Sequence, residues 1–425
     1  MGIVASLRTA KAFAEASWRQ RSARTREGLL RQQSNRLTTF LNGPAADVPA
    51  FCSFRGLPLE RWPVMDKSAL MTDFAAYNRL GLSTDDAWAH FDAGTAPEGY
   101  AIGASTGTSG NRGLYIVSEA ERYRWLGVML SRALPDVLTR RHRVAVVLPA
   151  NSRLYDAANE SRSLALRFFD LAKGIDAQFS QLADFMPTVI VAPPKFLRAL
   201  AESDTMVAPE RIFSGAEVLD DEDRAVIEAR FSLIVREIYM ATEGLFAVGC
   251  DAGALHLIED HLYFEFEPVE GSDRLFSPLV TDFSRTTQIM LRYRMNDILE
   301  LSEKPCVCGA PHQVIKQVHG RCDDVFKLET AQGNPARFTP DVIRNAVLQS
   351  DRCISDFRVI QTSPRDVRVC IPPHTEPAGP AVKASLERLF AASGASPGIE
   401  LVFIELSTPV NRKLRRVSVA FEPSV

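Results

Sequence analysis

Two stretches, Arg143–Leu148 after its leading arginine and Val189–Ala192, are apolar without the alternation of a half-exposed strand. A strand apolar at every position is buried on both faces, the habit of a parallel sheet covered by helices. Both runs fall far short of the roughly 20 residues that span a bilayer. Helical signals follow: a helix from Lys195 after Pro193-Pro194, and another at Asp220–Phe231 after the short strand Ile212-Phe213. Strands alternating with helices predict an α/β fold. Ahead of them, Ser118-Glu119-Ala120-Glu121 opens a helix running to about Leu134, and Asp66 stands as a cap for a helix from Lys67. Residues 1–41 place Phe13, Trp18, Leu29, Leu30, Leu37 and Phe40 at helical spacing and predict helices on the outside of the domain.

From 251 to 301 the helical signals fade, and Leu275–Asp282 and Gln288–Tyr293 read as strands. After Cys322 the character changes again. Helices at Pro340–Gln349 and Ala381–Ser393 alternate with strands near Phe357–Gln361, Val367–Ile371, Leu401–Leu406 and Val417–Phe421. The expectation is two domains: a large N-terminal α/β domain with mixed sheets and helices, 1–322, and a small C-terminal α+β lid domain, 323–425.

A net charge of −3 with 24% charged residues gives no global pull toward nucleic acid or anionic lipid. No signal peptide is evident, and the fit of Met1-Gly2 with Ser6 to a myristoylation signal reads as coincidence. Seven unevenly spaced cysteines do not form a secreted disulfide framework, so a reducing cytoplasm is expected.

Four clusters carry chemistry. The first is Ser105-Thr106-Gly107-Thr108-Ser109-Gly110, flanked by short strands. Hydroxyls can donate to phosphate oxygens, and glycines let backbone N–H groups approach an anion. The flanks are not those of a P-loop, and no Gly-Lys pair follows; an ordinary turn is the plain alternative. The second is Ser214-Gly215-Ala216-Glu217, just past a strand end, where α/β sheets bind ligands. The third, Tyr239-Met240-Ala241-Thr242-Glu243, offers a ring for a base, a hydroxyl for phosphate and a carboxylate for Mg²⁺. Its plain reading is a helix start capped by Thr242. The fourth, Leu291-Arg292-Tyr293-Arg294-Met295-Asn296-Asp297, ends in an Asp suited to ribose hydroxyls or simply to a turn.

In this order the clusters resemble the acyl- and aryl-adenylate-forming superfamily. Gly320-Arg321-Cys322-Asp323 matches its hinge motif, and Pro409–Arg416 contains a lysine, Lys413, near the C-terminus as that family does. The compact length and the Asp66-Lys67 start look like the phenylacetate–CoA ligase branch, which also holds enzymes that adenylylate deazaflavin coenzymes. The resemblance implies ATP and Mg²⁺ as cofactors and a small-molecule carboxylate as substrate. Thr106, Thr108 and Ser109 would contact the β/γ-phosphates; Glu217 and the backbone of 214–216 would line the adenine pocket. Tyr239 would stack on adenine, Thr242 would meet the α-phosphate, and Glu243 would ligate Mg²⁺. Asp297 and Arg321 would bind the ribose, Asp323 would be the hinge, and Lys413 would bridge carboxylate and α-phosphate.

Two departures stand out. Asn111-Arg112 replaces the lysine that usually follows the phosphate loop, and Arg112 keeps the charge but not the geometry. The stretch Lys327–Arg337 does not align with the family's pantetheine tunnel, which leaves the acceptor less supported than the first half-reaction.

Cys306-Val-Cys308 and the distant pair Cys250 and His256 offer three thiolates and one imidazole, enough for a closed structural zinc site. Buried free cysteines are the alternative, since the spacing is not that of the usual Cys-x2-Cys knuckle. Similar sets occur in the phenylacetate–CoA ligase branch. The reading is therefore an ATP-dependent ligase that makes an acyl-adenylate and passes it to a thiol of CoA or of an acyl or peptidyl carrier protein, with a homodimer left open and no nucleic-acid or membrane partner. The rivals are a nucleotidyltransferase acting on a cofactor hydroxyl and an idle nucleotide-binding homologue. The carboxylate pocket is expected in the 150–245 region, where Phe168, Phe169, Phe179, Phe185, Phe213 and Phe246 supply apolar surface.

Overall fold

The missing alternation in Arg143–Leu148 has a direct structural cause. In a computed structural model of the protein, Val144 and Val146 face one apolar core and Ala145 and Val147 face another on the opposite side of the sheet. The structure describes residues 2–105, 112–148, 164–171, 174–351, 353–354, 356–406 and 415–421. Five strands run parallel in the spatial order Leu164–Asp170, His142–Leu148, Val189–Ala192, Arg211–Gly215, Val235–Ala241. The sheet then turns antiparallel through Gly244–Gly249, the three-residue strand Leu255–Leu257, Val314–Arg321, Asp297–Leu301, Leu275–Asp282 and Leu262–Pro268. With Tyr293–Arg294 paired at its side, this is one mixed sheet of twelve strands.

Helices cover both faces of the parallel half. Helix Glu119–Ala133 starts at a capping box: Ser118 Oγ accepts from Glu121 N, and the Glu121 carboxylate accepts from Ser118 N. It lays Leu126 and Leu130 on the face of Val144 and Val146. Helices Pro194–Glu202 and Asp221–Phe231 bury Phe196, Leu197 and Ile227 on the other. The N-terminal helix Gly2–Ser22 packs outside Glu119–Ala133, and the contact is backbone-close: a Cβ at Gly127 would lie 2.4 Å from the carbonyl carbon of Ala12. No described helix is long and apolar enough to cross a membrane.

Residues Phe326–Val419 build a separate four-stranded sheet, ordered Gly398–Phe403, Asp366–Ile371, Arg358–Ser363, Val417–Val419. Helices Pro340–Leu348 and Gly379–Ala391 close it over a core of its own that includes Phe326, Phe357, Val369, Leu386 and Phe390. Two expectations need correction. Gln288–Tyr293 is not a strand; only Tyr293–Arg294 pairs in the sheet. Arg292 has φ +45°, a left-handed turn that breaks the run, and its guanidinium is held by Glu265 and the Trp62 carbonyl. Nor does a helix begin at Thr242: the strand ahead of it runs on through Tyr239 to Ala241 and turns back at Gly244 as a hairpin.

Candidate active site

The carboxyl ends of the parallel strands open into a cleft of about 610 Å³, roofed on the far side by the C-terminal unit. Ser214, Ala216 and Glu217 line it at the end of one strand, Tyr239 and Met240 on the next, and Thr242 and Glu243 at the hairpin turn. Tyr293, Asp297, Arg321, Cys322 and Asp323 form the facing wall. Asp297 and Arg321 are direct partners across an antiparallel pair, which brings a carboxylate and a guanidinium to one edge of the cleft.

Two tyrosines organise the acids. Tyr239 Oη donates to Asp297 Oδ2 at 2.6 Å, and Tyr293 Oη donates to Glu243 Oε1 at 3.1 Å. Burial, and then the neighbouring carboxylates, push both phenols well above the ordinary tyrosine range, so both remain donors at neutral pH. The Tyr239 ring packs tilted on Phe246, with 5.3 Å between centroids. The buried Ser214 hydroxyl has no hydrogen-bond partner among the described residues.

Thr106, Gly107, Thr108, Ser109, Gly110 and Lys413 lie outside the described residues. The ends of the Ser/Thr/Gly loop are tied together: Ser105 N donates to Gly113 O and Gly113 N to Ser105 Oγ, both at 2.7 Å. At this neck stands Lys67, its Nζ 3.5 Å from Ser105 Oγ and its pKa lowered mainly by burial. Arg112 goes elsewhere. Its guanidinium lies 5.1 Å from the ring centroids of Trp88 and Phe91, and its Nε donates to Ser105 O. Lys67, not Arg112, lines the cleft. From sequence, Lys67 had no place in the site, only the start of a helix and part of the Asp66-Lys67 resemblance; Asp66 does cap that helix by accepting from Ala69 N at 2.8 Å. Tyr293 also received no role; its place in the fourth cluster was the available signal.

The seam between the cleft and the C-terminal unit is ionic. Asp220 forms an ion pair with Arg344, whose Nε lies 2.6 Å from Oδ1, and accepts from Arg416 Nη1 at 2.8 Å, and Arg415 pairs with Asp324. Gly320 has φ +114°, and a Cβ there would lie 2.9 Å from two carbons of the Pro340 ring. Beside it, His319 Nδ1 is 2.7 Å from Asp341 Oδ2 and its Nε2 is 3.1 Å from Glu300 Oε2. Lys316 shares Glu300, and Arg344 lies in the field of Asp341. Burial lowers the His319 pKa, but the hydrogen bonds and charges of Asp341 and Glu300 outweigh it and raise the pKa overall. A folded-state pKa above the unfolded value means this contact is fully stabilising below about pH 6.5 and is lost as pH rises through the folded value. Melting of His319→Gln is therefore expected to depend less on pH between 6 and 8 than melting of the unaltered protein, by roughly 2 °C or more. Identical pH profiles in differential scanning calorimetry would refute this.

Away from the cleft, Cys250, His256, Cys306 and Cys308 converge, with all four ligand atoms within 4.8 Å of one another. Cys250 Sγ is 3.8 Å from Cys306 Sγ, and Cys308 Sγ is 3.4 Å from His256 Nε2. His256 Nδ1 lies 3.2 Å from the His312 carbonyl, a bond that leaves Nε2 as the free lone pair. A tetrahedral ion with sulfur at about 2.3 Å and nitrogen at about 2.0 Å sets such atoms roughly 3.5–3.8 Å apart, so the donor set fits a metal. Cys52, Cys322, Cys353 and Cys370 are free.

No protein-family model matches the chain. Over 121 residues it is 34% identical to the protein CapK of Staphylococcus aureus, a match covering 28% of this chain and 26% of that protein, about a quarter of the relative's length. Among solved structures, it superposes on 2-hydroxyisobutyryl-CoA ligase in the postadenylation state with a TM-score of 0.66 and 19% identity, covering 93% of this chain and 89% of that one. The same ligase in the thioesterification state gives 0.53, with 92% and 88% covered. The amide bond synthetase McbA from Marinactinospora thermotolerans gives 0.54 at 15% identity, with 74% and 68% covered. The chain has the mixed α/β fold of adenylate-forming ligases.

Proposed function

We propose that the protein is an ATP-dependent adenylate-forming ligase that joins a carboxylic acid to AMP with release of pyrophosphate and then passes the acyl group to an acceptor thiol. The observation that carries this is the pairing of Tyr239 with Asp297 and of Tyr293 with Glu243 on opposite walls of one cleft, with Arg321 beside Asp297. The cleft is within the range of roughly 300–1,000 Å³ that small-molecule sites occupy. The buried Ser214 hydroxyl, without a hydrogen-bond partner among the described residues, is a polar group that can meet a ligand there.

In this reading Glu217 and the 214–216 backbone bound the adenine, and the Tyr239 ring lies against it. Asp297 and Arg321 hold the ribose hydroxyls. The bond from Tyr239 fixes one Asp297 oxygen in place before nucleotide arrives, so the carboxylate is oriented rather than searching rotamers. Thr242 donates to the α-phosphate. Lys67 and the loop 105–110 face the departing phosphates, with Lys67 supplying the cation that the phosphate loop itself lacks. Glu243 would hold Mg²⁺, which supplies charge neutralisation on phosphate oxygens when bound. Lys413 stabilises charge as the carboxylate oxygen meets the α-phosphorus. The unit 323–425 then turns about Asp323 to admit the acceptor; the better superposition on the postadenylation state than on the thioesterification state supports an arrangement before that turn. We infer further that the four-residue cluster holds zinc as a structural ion.

Exchange of radiolabelled pyrophosphate into ATP in the presence of acids tests the first half-reaction. Asp297→Asn should weaken ATP binding in calorimetry about tenfold or more, the scale of a lost charged hydrogen bond. Glu243→Gln should raise the Mg²⁺ concentration needed for half-maximal exchange. Unchanged ATP affinity in the first and an unchanged Mg²⁺ response in the second would remove the nucleotide site from this cleft.

A further inference from the structure

A second cavity of about 90 Å³ opens beside the nucleotide cleft, and the two share Ala216, Ile238 and Met240 as common wall. It lies between helix Glu119–Ala133, which contributes Leu130 and Ala133, and the sheet face that carries Val146 and Phe213. Every described side chain lining it is aliphatic, aromatic or a thioether. Of the six phenylalanines expected around a substrate pocket, only Phe213 reaches this cavity among the described lining residues. Phe169, Phe179 and Phe185 pack in the core on the opposite face of the sheet.

The wall residue Ala216 is unusual. Its φ is +69°, in the left-handed region that favours glycine, yet the position carries a methyl. Gly215 precedes it, so glycine was chemically at hand on this very turn. The methyl strains this turn and stands in the wall common to the two cavities, where it takes up space.

We propose that this cavity seats the tail of the carboxylic acid, that the acid is a compact monocarboxylate with a hydrocarbon tail and roughly four to six carbons in all, and that Ala216 limits the girth of what enters. The size follows from comparison: an apolar cavity of about 150 Å³ takes a benzene ring, so one of 90 Å³ takes a short branched or straight alkyl tail and not a whole phenyl group. The polarity follows from the lining. Apart from the indole N–H of Trp125, a donor only, no described lining side chain could replace the water stripped from a hydroxyl, amine or second carboxylate in the tail. The inference rests on the adenylation reading, since it is the carboxylate attacking the α-phosphorus that must sit at the shared wall.

The test is pyrophosphate exchange by the full chain with butyrate, isobutyrate and isovalerate, set against phenylacetate, octanoate, 3-hydroxybutyrate, β-alanine and succinate. The three short hydrocarbon acids should have kcat/KM at least about tenfold above all others, the discrimination that a methylene or an unpaired hydroxyl gives in an apolar pocket. Ala133→Leu should lower isovalerate relative to butyrate. Ala216→Gly relieves a left-handed backbone and so does not threaten folding; it should raise phenylacetate relative to isovalerate about tenfold. Preference for phenylacetate, octanoate or a polar acid would overturn the proposal, as would an unmoved ratio in Ala216→Gly. In those cases exchange itself persists and the adenylation reading survives. Absence of exchange with every acid would bring both down together.

Discussion

Replacing Lys413 with alanine is expected to cut pyrophosphate release by about 10²–10³-fold, the range seen when one group aimed at developing charge is removed. Transfer from a pre-formed acyl-adenylate should survive. The reasoning is that in the proposed cycle Lys413 serves only the first step, where the phosphorus gains a fifth ligand and negative charge. A lysine suits that moment because it is a compact charge on a flexible stem. Its neighbours fit the assignment: Arg415 and Arg416, two and three residues further on, line the cleft, and Asp324 and Asp220 hold them there. Single-turnover assays of each half-reaction separate the outcomes. Equal loss in both steps would refute the division of labour and with it the turn about Asp323. Loss in neither would remove Lys413 from the chemistry.

The second large effect is expected at the metal cluster. Purified protein should carry about one zinc per chain, and its removal by a strong chelator should lower the melting temperature by roughly 10 °C or more, because binding free energy at a structural site is folding free energy. The location explains the size of the effect. Within the antiparallel part, Gly244–Gly249 is joined to Val314–Arg321 through Leu255–Leu257, a strand of three residues. That strand meets Val314–Arg321 in only two registered pairs, His256 with Val314 and Leu255 with Ile315. His256 itself sits on this bridge, Cys250 at the turn before it, and Cys306 and Cys308 in the loop before Val314. A bound ion would fasten all three segments where the backbone ladder is short. Cys308→Ser should reproduce the loss of stability at a partly exposed position where packing is not at stake. Zinc well below stoichiometry in protein prepared without chelators, or a melting temperature indifferent to both treatments, would rule out a structural metal. The pyrophosphate exchange rate of the folded fraction should not change.

What could be read from the chain was whatever short-range chemistry decides. The even apolarity of Arg143–Leu148 forced burial on two faces, and Val144 and Ala145 do point into different cores. Ser118 and Glu121 announced a helix start three residues apart and make the capping box. The cysteine and histidine spacing named a cluster that the structure assembles. What escaped was set by approach in space. Tyr293 meets Glu243 from a separate short strand, and Lys67 meets Ser105 from a helix far upstream. Arg112 stood next to the phosphate loop in sequence, yet two aromatic rings of one neighbouring helix, Thr84–Asp92, claim its charge. The break at Arg292 was hidden because a left-handed arginine has no local signature; distant Glu265 and Trp62 impose it.

The joint at Gly320 has a consequence for the timing of turnover. Bare backbone there meets the Pro340 ring with no room for even a methyl between them. A turn of the C-terminal unit about Asp323 would, in the proposed cycle, part this close contact. In the proposed cycle one cleft must serve two reactions in turn. Under that proposal Gly320 would matter to the change from one reaction to the next through the side chain it does not have, since even a methyl there would hold the two surfaces apart.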